Sequence, residues 1–258
     1  MKNLNNSAKS RGIVAFAANT ETTDYVAIAN RTLKLASKTL GLPVTLITPK
    51  SQLEDNKRYD IDTKEFVQWR NAGRYQAYEL SPYDETIVID ADYLVFDQSI
   101  LKIFECEWDY TVMRQARGLT QEFPVDMGTR SLPYVWATVF AFRRTPKAKM
   151  FFSLVQRVQD HYNYYKELFN IEQRNFRNDY AFAIADIILN GYAINEHGIP
   201  GPMLHVDQPV QSIEAKGNMF VIKDNTRAFV IPRMNLHVMS KQYLQSKQFK
   251  EFIDSESA

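Results

Sequence analysis

The first fifty residues hold an apolar run, an amphipathic segment and a second apolar run, and this order restricts the fold more than any other feature of the chain. Residues 12–18, GIVAFAA, are apolar between polar neighbours and predict a buried strand. Residues 24–40 have apolar side chains every three or four positions, which predicts a helix. Residues 44–48, VTLIT, predict the next strand. This βαβ order predicts an α/β fold with a Rossmann-like, mostly parallel central sheet flanked by helices.

The two ends of the predicted helix carry residues typical of helix termini. Thr22 and Thr23 both suit the N-cap, because a hydroxyl oxygen accepts a hydrogen bond from a backbone N–H of the first turn. Gly41 and Pro43 follow the last apolar position, and this pair is typical of a helix that stops there. The sequence therefore predicts both boundaries of this helix.

The rest of the chain continues the alternation of strands and helices. Thr145 and Pro146 form an N-cap and N1 pair that predicts the start of a helix. Helices are predicted at 66–80, 98–106, 147–165, 178–190 and 241–252, and strands at 86–90, 93–96, 110–114, 134–143, 219–223 and 228–231.

Composition excludes several classes of protein. The 258 residues are 45% hydrophobic and 24% charged, which excludes disordered, collagen-like and low-complexity chains. The net charge of +1 gives the chain as a whole no attraction to nucleic acid or membranes. Cys106 is the only cysteine, which excludes an intrachain disulfide and a cysteine-based zinc cluster. No signal peptide or membrane-spanning run is predicted, so we expect a cytoplasmic protein.

Two aspartates separated by one residue end the predicted strand at 86–90. Asp90 and Asp92 lie two positions apart in an extended segment, so their carboxylates project to the same side. Oxygen ligands in this arrangement suit Mn²⁺ or Mg²⁺, with further coordination positions left for diphosphate oxygens. Ligands of open α/β sheets bind at the carboxyl ends of the strands, where this pair lies. We therefore predict that Asp90 and Asp92 bind a divalent cation.

The spacing of the two aspartates would not be sufficient by itself. Asp60 and Asp62 have the same spacing but no apolar strand before them, and we assign them to a loop. A pair of turn carboxylates that caps a helix is the ordinary alternative for Asp90 and Asp92. The apolar strand that precedes Asp90 favours the metal site.

The run VIDADYLV at 88–95 resembles the DxD segment of nucleotide-sugar glycosyltransferases, most closely the glycogenin and lipopolysaccharide galactosyltransferase group. The resemblance implies a metal-dependent enzyme that moves a sugar from a nucleotide-sugar donor, with a UDP-sugar favoured, to a hydroxyl acceptor. It implies a GT-A type of fold in a single domain at 11–258, and the polar residues 1–10 before it predict a flexible tail. That domain would comprise a nucleotide-sugar-binding half at 11–115 and a smaller acceptor-side half at 116–258. Ala91 would lie against the donor.

Further positions match that group in chain order and receive roles from the resemblance. Arg74 matches a basic residue that contacts the donor, and Thr138, in the run ATVF at 137–140, matches a segment that lines the sugar pocket. Asp179 matches an acidic residue near the donor sugar, which implies a catalytic role. His237 matches a histidine that completes the metal shell, and Lys241 matches a lysine that reaches the diphosphate.

Ordinary structural roles remain open for several of these residues. Asp179 also suits the N-terminal dipole of its helix, and Asp186, two turns later, is a weaker candidate for the same pocket. His237 is equally compatible with a core or surface position, and Lys241 with a solvated helix. The chain departs from the group's pattern directly after Asp179 and between His237 and Lys241.

Polar residues elsewhere extend the predicted donor site. Asn19, Thr20 and Tyr25 follow the first strand, where that group holds the nucleotide base and ribose, although polar residues are common in such loops. Arg70 lies four residues before Arg74, so both guanidinium groups are predicted to share a helical face. They would either clamp phosphate oxygens or form a solvated surface.

Two segments are candidates for contact with the acceptor. Residues 161–177 interleave aromatic and basic residues, which favours either an amphipathic helix or nucleic-acid binding. Residues 114–130 contain Arg117 and Arg130 in a less regular stretch. The opening ANTETTDYVAIA resembles small phage-encoded GT-A proteins, some of which decorate hydroxymethylated pyrimidines in viral DNA. That likeness implies double-stranded DNA as a partner in the host cytoplasm, and a cell-envelope saccharide, another small molecule or a protein side chain are the competing acceptors.

Two other functional classes share parts of this pattern. A nucleotidyltransferase also uses metal-bound carboxylates in a Rossmann-like half, but it would carry a glycine-rich basic loop after the first strand. The corresponding segment here, AANTETTDY, contains no glycine, lysine or arginine. A GT-A scaffold that binds a ligand without catalysis is the non-enzymatic alternative.

Overall fold

In the computed structural model, which describes residues 9–49, 52, 62–65, 73–123, 126–127, 132–193, 195 and 197–257, the strands form one large sheet and three smaller ones. The strands are β1 Arg11–Phe16, β2 Val44–Thr48, β3 Asp62–Glu65, β4 Glu85–Asp90, β5 Tyr93–Leu94, β6 Tyr110–Met113, β7 Ala116–Gly118, β8 Asp126–Met127, β9 Leu132–Pro133, β10 Trp136–Arg143, β11 Met203–Val206, β12 Ser212–Lys216, β13 Met219–Lys223, β14 Ala228–Pro232 and β15 Asn235–Val238.

The large sheet has the strand order β3-β2-β1-β4-β10-β6. Strands β3, β2, β1 and β4 are parallel, and β10 runs antiparallel to both β4 and β6. The βαβ unit predicted at the start of the chain pairs Ile13 with Val44 and Phe16 with Ile47. The prediction of an α/β fold with a mostly parallel central sheet is confirmed.

Helices pack on both faces of this sheet and, at the end of the chain, around the second sheet described below. They are α1 Tyr25–Leu40, α2 Ala77–Leu80, α3 Pro146–Asp160, α4 Tyr162–Leu168, α5 Asn178–Leu189, α6 Lys241–Leu244 and α7 Lys247–Ser257, with 3-10 helices at Arg74–Gln76 and Gln98–Glu105. Along β1, Ile13 and Ala15 pack in one cluster with Leu33 of α1, whereas Val14 packs in another with Phe182 of α5. Successive side chains of a strand point to opposite faces, so the continuous apolar run of β1 reflects burial on both sides.

The N-cap of α1 is Asp24, and the prediction of Thr22 or Thr23 is wrong. The Asp24 carboxylate accepts a hydrogen bond from the backbone N–H of Ala27 at 2.9 Å. Thr20 accepts from the N–H of Thr23 at 3.1 Å, so the threonines belong to the turn before the helix. At the other end Gly41 adopts the left-handed conformation, with φ of 66°, and ends the helix as predicted.

We expect Asp24→Ala to lower the free energy of unfolding by about 1 kcal/mol, because a backbone N–H of the first turn loses its acceptor. Asp24→Asn should keep most of this stability, since asparagine caps about as well as aspartate. Thr22→Ala, at an exposed neighbouring position, is the matched control and should change stability by less than about 0.5 kcal/mol. Urea denaturation of the three variants measures these differences, and equal losses in Asp24→Ala and Thr22→Ala would contradict the assignment.

A second sheet, with the order β5-β15-β11-β7, joins distant parts of the chain. Strand β15 pairs antiparallel with β5, directly after the two aspartates, and parallel with β11 on its other side. Neither β11 nor β15 was predicted, because each is only four residues long and carries a histidine among its apolar residues. This sheet brings residues from the end of the chain beside the end of β4.

Several predicted elements differ from those observed. The helix expected at 147–165 is two helices, α3 and α4, which meet at His161. The polar helix expected at 241–252 is also two helices, α6 and α7. Ser246 lies between them, and its side chain accepts a hydrogen bond from the N–H of Phe249 in the first turn of α7. Phe249 and Ile253 are buried, so this end of the chain belongs to the core around the second sheet.

The segment before β4 also differs from its prediction. Of the helix expected at 66–80, residues 66–72 lie outside the described part, and the remainder forms the 3-10 helix with Arg74 and the short α2. Asp62 begins β3, which corrects its assignment to a loop, while Asp60 lies outside the described residues. Among the described residues, no helix is both long and apolar enough to cross a membrane.

Candidate functional site

One cleft, at the carboxyl end of the parallel strands, is lined by most of the residues that the sequence predicts for the functional site. Phe16 at the end of β1 lies beside Asp90 at the end of β4. The cleft has a volume of about 780 Å³. Of the predicted site residues, it is lined by Thr20, Tyr25, Arg74, Asp90, Ala91, Asp92, Thr138, Asp179, His237 and Lys241. These residues come from both halves of the chain.

Asp90, Asp92 and His237 form a candidate metal site in this cleft. One ligand atom from each residue lies within 4.8 Å of the others. Asp90 and Asp92 converge because they bracket the turn between β4 and β5, and His237 joins them because β15 pairs with β5 in the register His237 to Tyr93. Two carboxylates and one imidazole are a donor set that divalent transition metals accept. The residues therefore fit the cation predicted from the sequence.

Each carboxylate is paired with a basic side chain. Arg74 forms an ion pair with Asp90 and donates a second hydrogen bond to the carbonyl oxygen of Ala137 at 2.5 Å. Lys241 forms an ion pair with Asp92. Both basic groups line the cleft, so negative charge inside it is balanced by two adjacent cations.

The pKa values of the two carboxyl groups are shifted in opposite directions. Burial raises the pKa of Asp90 to about 6, with the charge of Asp92 acting in the same direction and Arg74 opposing it. Burial also opposes ionisation of Asp92, but the charges and hydrogen bonds of His237 and Lys241 outweigh it and hold the pKa of that carboxyl below its usual range. Two buried acids this close gain from a further positive charge between them.

His237 contacts the site through one ring nitrogen and the core through the other. Its Nε2 lies 3.4 Å from Oδ1 of Asp92. Its Nδ1 lies 3.0 Å from Nδ1 of His205 and 3.4 Å from the hydroxyl of Thr138. Burial and the neighbouring His237 lower the pKa of His205 to about 4, so His205 is neutral at pH 7.

His205 was not predicted, although the sequence contains a signal for it. The strands β11 and β15 read MLHV and NLHV, so Leu-His-Val occurs twice. The two copies pair in parallel, with Leu204 beside Leu236 and His205 beside His237. A search for repeated short apolar runs with an internal histidine would have found the pair.

Asp179 lies in the first turn of α5 and is fixed by two groups. Its Oδ1 accepts a hydrogen bond from the backbone N–H of Ala137 at 2.9 Å, and its Oδ2 accepts one from Arg177 at 2.7 Å. The side chain is 14% exposed and borders the cleft. Asp179 therefore connects α5 to β10 at Ala137, the residue whose carbonyl oxygen accepts the hydrogen bond from Arg74.

The residues predicted near the nucleotide base divide into two groups. Thr20 and Tyr25 line the cleft, and burial raises the pKa of Tyr25 despite the nearby charge of Lys241. Asn19 is not among the lining residues. Its side-chain oxygen accepts a hydrogen bond from the N–H of Val26 at 2.9 Å, and its own N–H donates to Gln52 at 2.8 Å. The structure thus gives Asn19 a role in shaping the start of α1.

Other sequence candidates lie apart from the cleft. The Asp186 carboxylate accepts hydrogen bonds from Tyr110 at 2.9 Å and from Arg114 at 2.5 Å, so it stabilises the C-terminal part of α5 and does not share the pocket of Asp179. Arg117 is exposed on β7. Of the segment at 161–177, Arg177 borders the cleft, while Tyr162 and Tyr165 are buried as expected for an amphipathic helix. Arg70 and Arg130 lie outside the described residues.

An aromatic wall, defined as Phe123, Tyr134 and Trp136, borders the cleft and was not predicted. The ring centroids of Phe123 and Trp136 lie 4.8 Å apart, and those of Tyr134 and Trp136 lie 5.2 Å apart. Trp136 also packs on His205 with centroids 4.8 Å apart. The wall closes the side of the cleft next to the two histidines.

Comparison with protein families and with curated proteins finds no match for this chain. Among solved structures, apo-form glycosyltransferase GlyE of Streptococcus pneumoniae TIGR4 is similar, with a TM-score of 0.42 and 14% identity over 68% of this chain and 42% of GlyE. Galactosyltransferase LgtC has a TM-score of 0.43 and 14% identity over 67% of this chain and 70% of LgtC.

A synthase is also similar in structure. The 4-diphosphocytidyl-2C-methyl-D-erythritol synthase of Anaerococcus prevotii DSM 20548 has a TM-score of 0.37 and 12% identity, over 71% of this chain and 98% of that protein. This chain spans less than half the length of GlyE. Likeness at this level concerns the arrangement of strands and helices and says nothing about substrates.

Proposed function

We propose that the chain is a metal-dependent glycosyltransferase that moves a sugar from a nucleoside diphosphate donor, with a UDP-sugar favoured, to a hydroxyl acceptor. The observation that carries this proposal is the convergence of Asp90, Asp92 and His237 between Arg74 and Lys241 in one cleft. The three ligands suit a divalent cation, and the two basic groups suit the phosphate oxygens beside it. The resemblance of residues 88–95 to the DxD segment supports the same function.

Asp90, Asp92 and His237 would hold Mn²⁺ or Mg²⁺ in this scheme. The imidazole of His237 favours Mn²⁺, because Mg²⁺ binds mainly through carboxylates and water. The cation would supply Lewis acidity that offsets charge developing on the departing nucleoside diphosphate. The ligand set belongs to the chain's own residues and can be tested without knowledge of the acceptor.

Other cleft residues would bind and orient the donor. Arg74 and Lys241 would leave the carboxylates for the diphosphate oxygens when a cation takes their place, while Thr20 and Tyr25 would contact the base and ribose. Ala91 lines the cleft between the two aspartates and would lie against the donor. Asp179 and Thr138, held at the same part of β10, would face the donor sugar and the acceptor hydroxyl. The division of a single GT-A domain at 11–258 into a donor-binding half at 11–115 and an acceptor-side half at 116–258 stays a sequence-based prediction, and in this scheme Lys241 and His237 of the second half would also reach the donor and its cation.

We expect UDP-sugars to bind in the presence of Mn²⁺ and to bind at least about tenfold more weakly after chelation, because the diphosphate loses its main counter-charge. Isothermal titration calorimetry with a panel of sugar nucleotides measures both affinities. Release of nucleoside diphosphate from the sugar nucleotide indicates sugar transfer, whereas a nucleotidyltransferase would release inorganic diphosphate when it is given a nucleoside triphosphate and a sugar phosphate. Metal-dependent binding without either product would indicate a binding scaffold, and equal affinity with and without Mn²⁺ would contradict the proposal.

For the acceptor, hydroxymethylated pyrimidines in double-stranded DNA remain a sequence-based prediction. An enzyme that acts on DNA should bind the duplex with strong salt dependence, because phosphate contacts release counterions. Gel-shift measurements on modified and unmodified duplexes at several salt concentrations test this. Absence of binding to both duplexes would favour a saccharide, another small molecule or a protein side chain as acceptor.

A further inference from the structure

His205 and His237, one from each Leu-His-Val run, lie side by side because of the register of the second sheet. Strands β11 and β15 are parallel, and His205 is paired directly with His237. Side chains at paired positions of adjacent strands project to the same face, which places the two imidazoles side by side. Their Nδ1 atoms are 3.0 Å apart, which is a hydrogen-bond distance.

A hydrogen bond between two Nδ1 atoms requires one donor and one acceptor. A neutral imidazole carries a proton on one nitrogen and a lone pair on the other. Nε2 of His237 lies 3.4 Å from Asp92 and is placed to donate to it when no cation is bound. When a cation binds, Nε2 must supply a lone pair instead, and a neutral ring can do so only if its proton is on Nδ1, which then donates to His205. If His205 donates instead, Nε2 of His237 carries the proton and cannot bind a cation. The direction of this one bond therefore decides whether His237 can act as a ligand.

The surroundings of His205 hold its ring in place. Trp136 and Phe123 of the aromatic wall pack on it, with centroids 4.8 Å and 5.6 Å from that of His205. These rings limit rotation of the imidazole and shield the hydrogen bond from water. The Thr138 hydroxyl is a longer contact of His237, at 3.4 Å, and is less able to fix the ring.

We propose that His205 is a positioning residue for the cation site: it accepts a hydrogen bond from Nδ1 of His237 and so leaves Nε2 of His237 free to bind the cation. The inference rests on the proposed function, because it concerns the third ligand of that site. Partners of this kind orient the ring and raise the basicity of a metal-bound histidine. His205 borders the cleft but is not one of the three residues that converge on the cation site.

Three variants separate this hydrogen bond from simple packing. His205→Leu removes the acceptor, and we expect its Mn²⁺ affinity to fall by about tenfold or more. His205→Asn places an amide oxygen near the position of Nδ1 and should recover most of the affinity. His161→Leu, at an exposed histidine away from the cleft, should bind Mn²⁺ within about twofold of the wild type. Calorimetry with Mn²⁺ alone provides these affinities, and thermal unfolding verifies that each variant is folded.

Nitrogen-15 NMR of the histidine side chains adds a readout that packing alone would not change. In the wild type saturated with Mg²⁺, we expect Nδ1 of His237 to be protonated and Nε2 to be unprotonated. The opposite tautomer, normal Mn²⁺ affinity in His205→Leu, or equal losses in His205→Leu and His205→Asn would each overturn the role of His205. A wild-type protein that binds no divalent cation would overturn the proposed function as well, so the two failures are distinguishable.

Discussion

Asp92→Asn is expected to reduce sugar transfer by about a thousandfold, because the loss of a charged ligand removes several kcal/mol of stabilisation from the transition state. Asparagine keeps the size of the side chain and one acceptor oxygen, so the ion pair with Lys241 is lost while the shape of the site is retained. Both Mn²⁺ binding and Mn²⁺-dependent donor binding should weaken in parallel. Product formation from the preferred sugar nucleotide, together with calorimetry, measures all three quantities.

Asp224→Asn is the matched control for this change. Asp224 lies in the turn between β13 and β14, where its carboxylate accepts hydrogen bonds from the N–H groups of Thr226 and Arg227 at 2.7 and 2.8 Å. Asparagine supports the same turn, so activity should stay within about twofold of the wild type. Wild-type activity in Asp92→Asn would contradict the metal site and would favour the alternative from the sequence, in which the two aspartates only stabilise a turn.

The predictions that the structure confirms rest on short-range patterns. The strand and helix periods at 12–48 are local, and both faces of β1 are buried, so its apolar run was unambiguous. Asp90 and Asp92 are separated only by Ala91, so their convergence could be predicted locally, although they meet at the turn of residues 91–92 and not along the extended segment that the sequence predicted. Their meeting with His237 depends instead on the pairing of β5 with β15, which no local pattern encodes. Resemblance to a known group, and not periodicity, pointed to that histidine.

The residues that were missed or misplaced share a dependence on tertiary contacts. His205 becomes part of the site only through the register of β11 and β15, and the aromatic wall only through the position of β10 beside β4. Asp24, and not a threonine, caps α1 because the segment before it forms a turn in which the N–H of Thr23 donates to the hydroxyl of Thr20, and the helix begins only after that turn. Asp186 lies on the same face of the helix as Asp179 but two turns, or about 10 Å, further along its axis, so it meets Arg114 and Tyr110 outside the cleft.

The basic residues of the cleft have a second role that sequence alone did not suggest. Arg74 and Lys241 bind the same carboxylates that would bind a cation, so each competes with the metal for Asp90 or Asp92. Removal of either basic residue should therefore affect the metal and the donor differently. Loss of Asp90 or Asp92 should weaken the binding of both the metal and the donor, whereas loss of Arg74 or Lys241 should weaken only the binding of the donor.

Arg74→Met is expected to raise the dissociation constant of the donor by about a hundredfold, since one or two charge-assisted hydrogen bonds to phosphate are worth about 1.5–3 kcal/mol each. Methionine keeps much of the apolar stem of arginine, and the carbonyl of Ala137 loses a donor. Affinity for Mn²⁺ alone should be unchanged or higher, because Asp90 no longer pairs with a guanidinium group. Calorimetry with Mn²⁺ first and UDP-sugar second separates the two effects.

Arg157→Met, on the exposed face of α3, is the matched control and should alter neither affinity by more than about twofold. Arg74→Lys should recover only part of the donor affinity, because an ammonium group provides charge without the planar fork that binds two oxygens. A parallel loss of Mn²⁺ and donor affinity in Arg74→Met would mean that Arg74 holds Asp90 in place for the metal. In that case the diphosphate would depend on Lys241, and Lys241→Met would show the selective loss of donor binding instead.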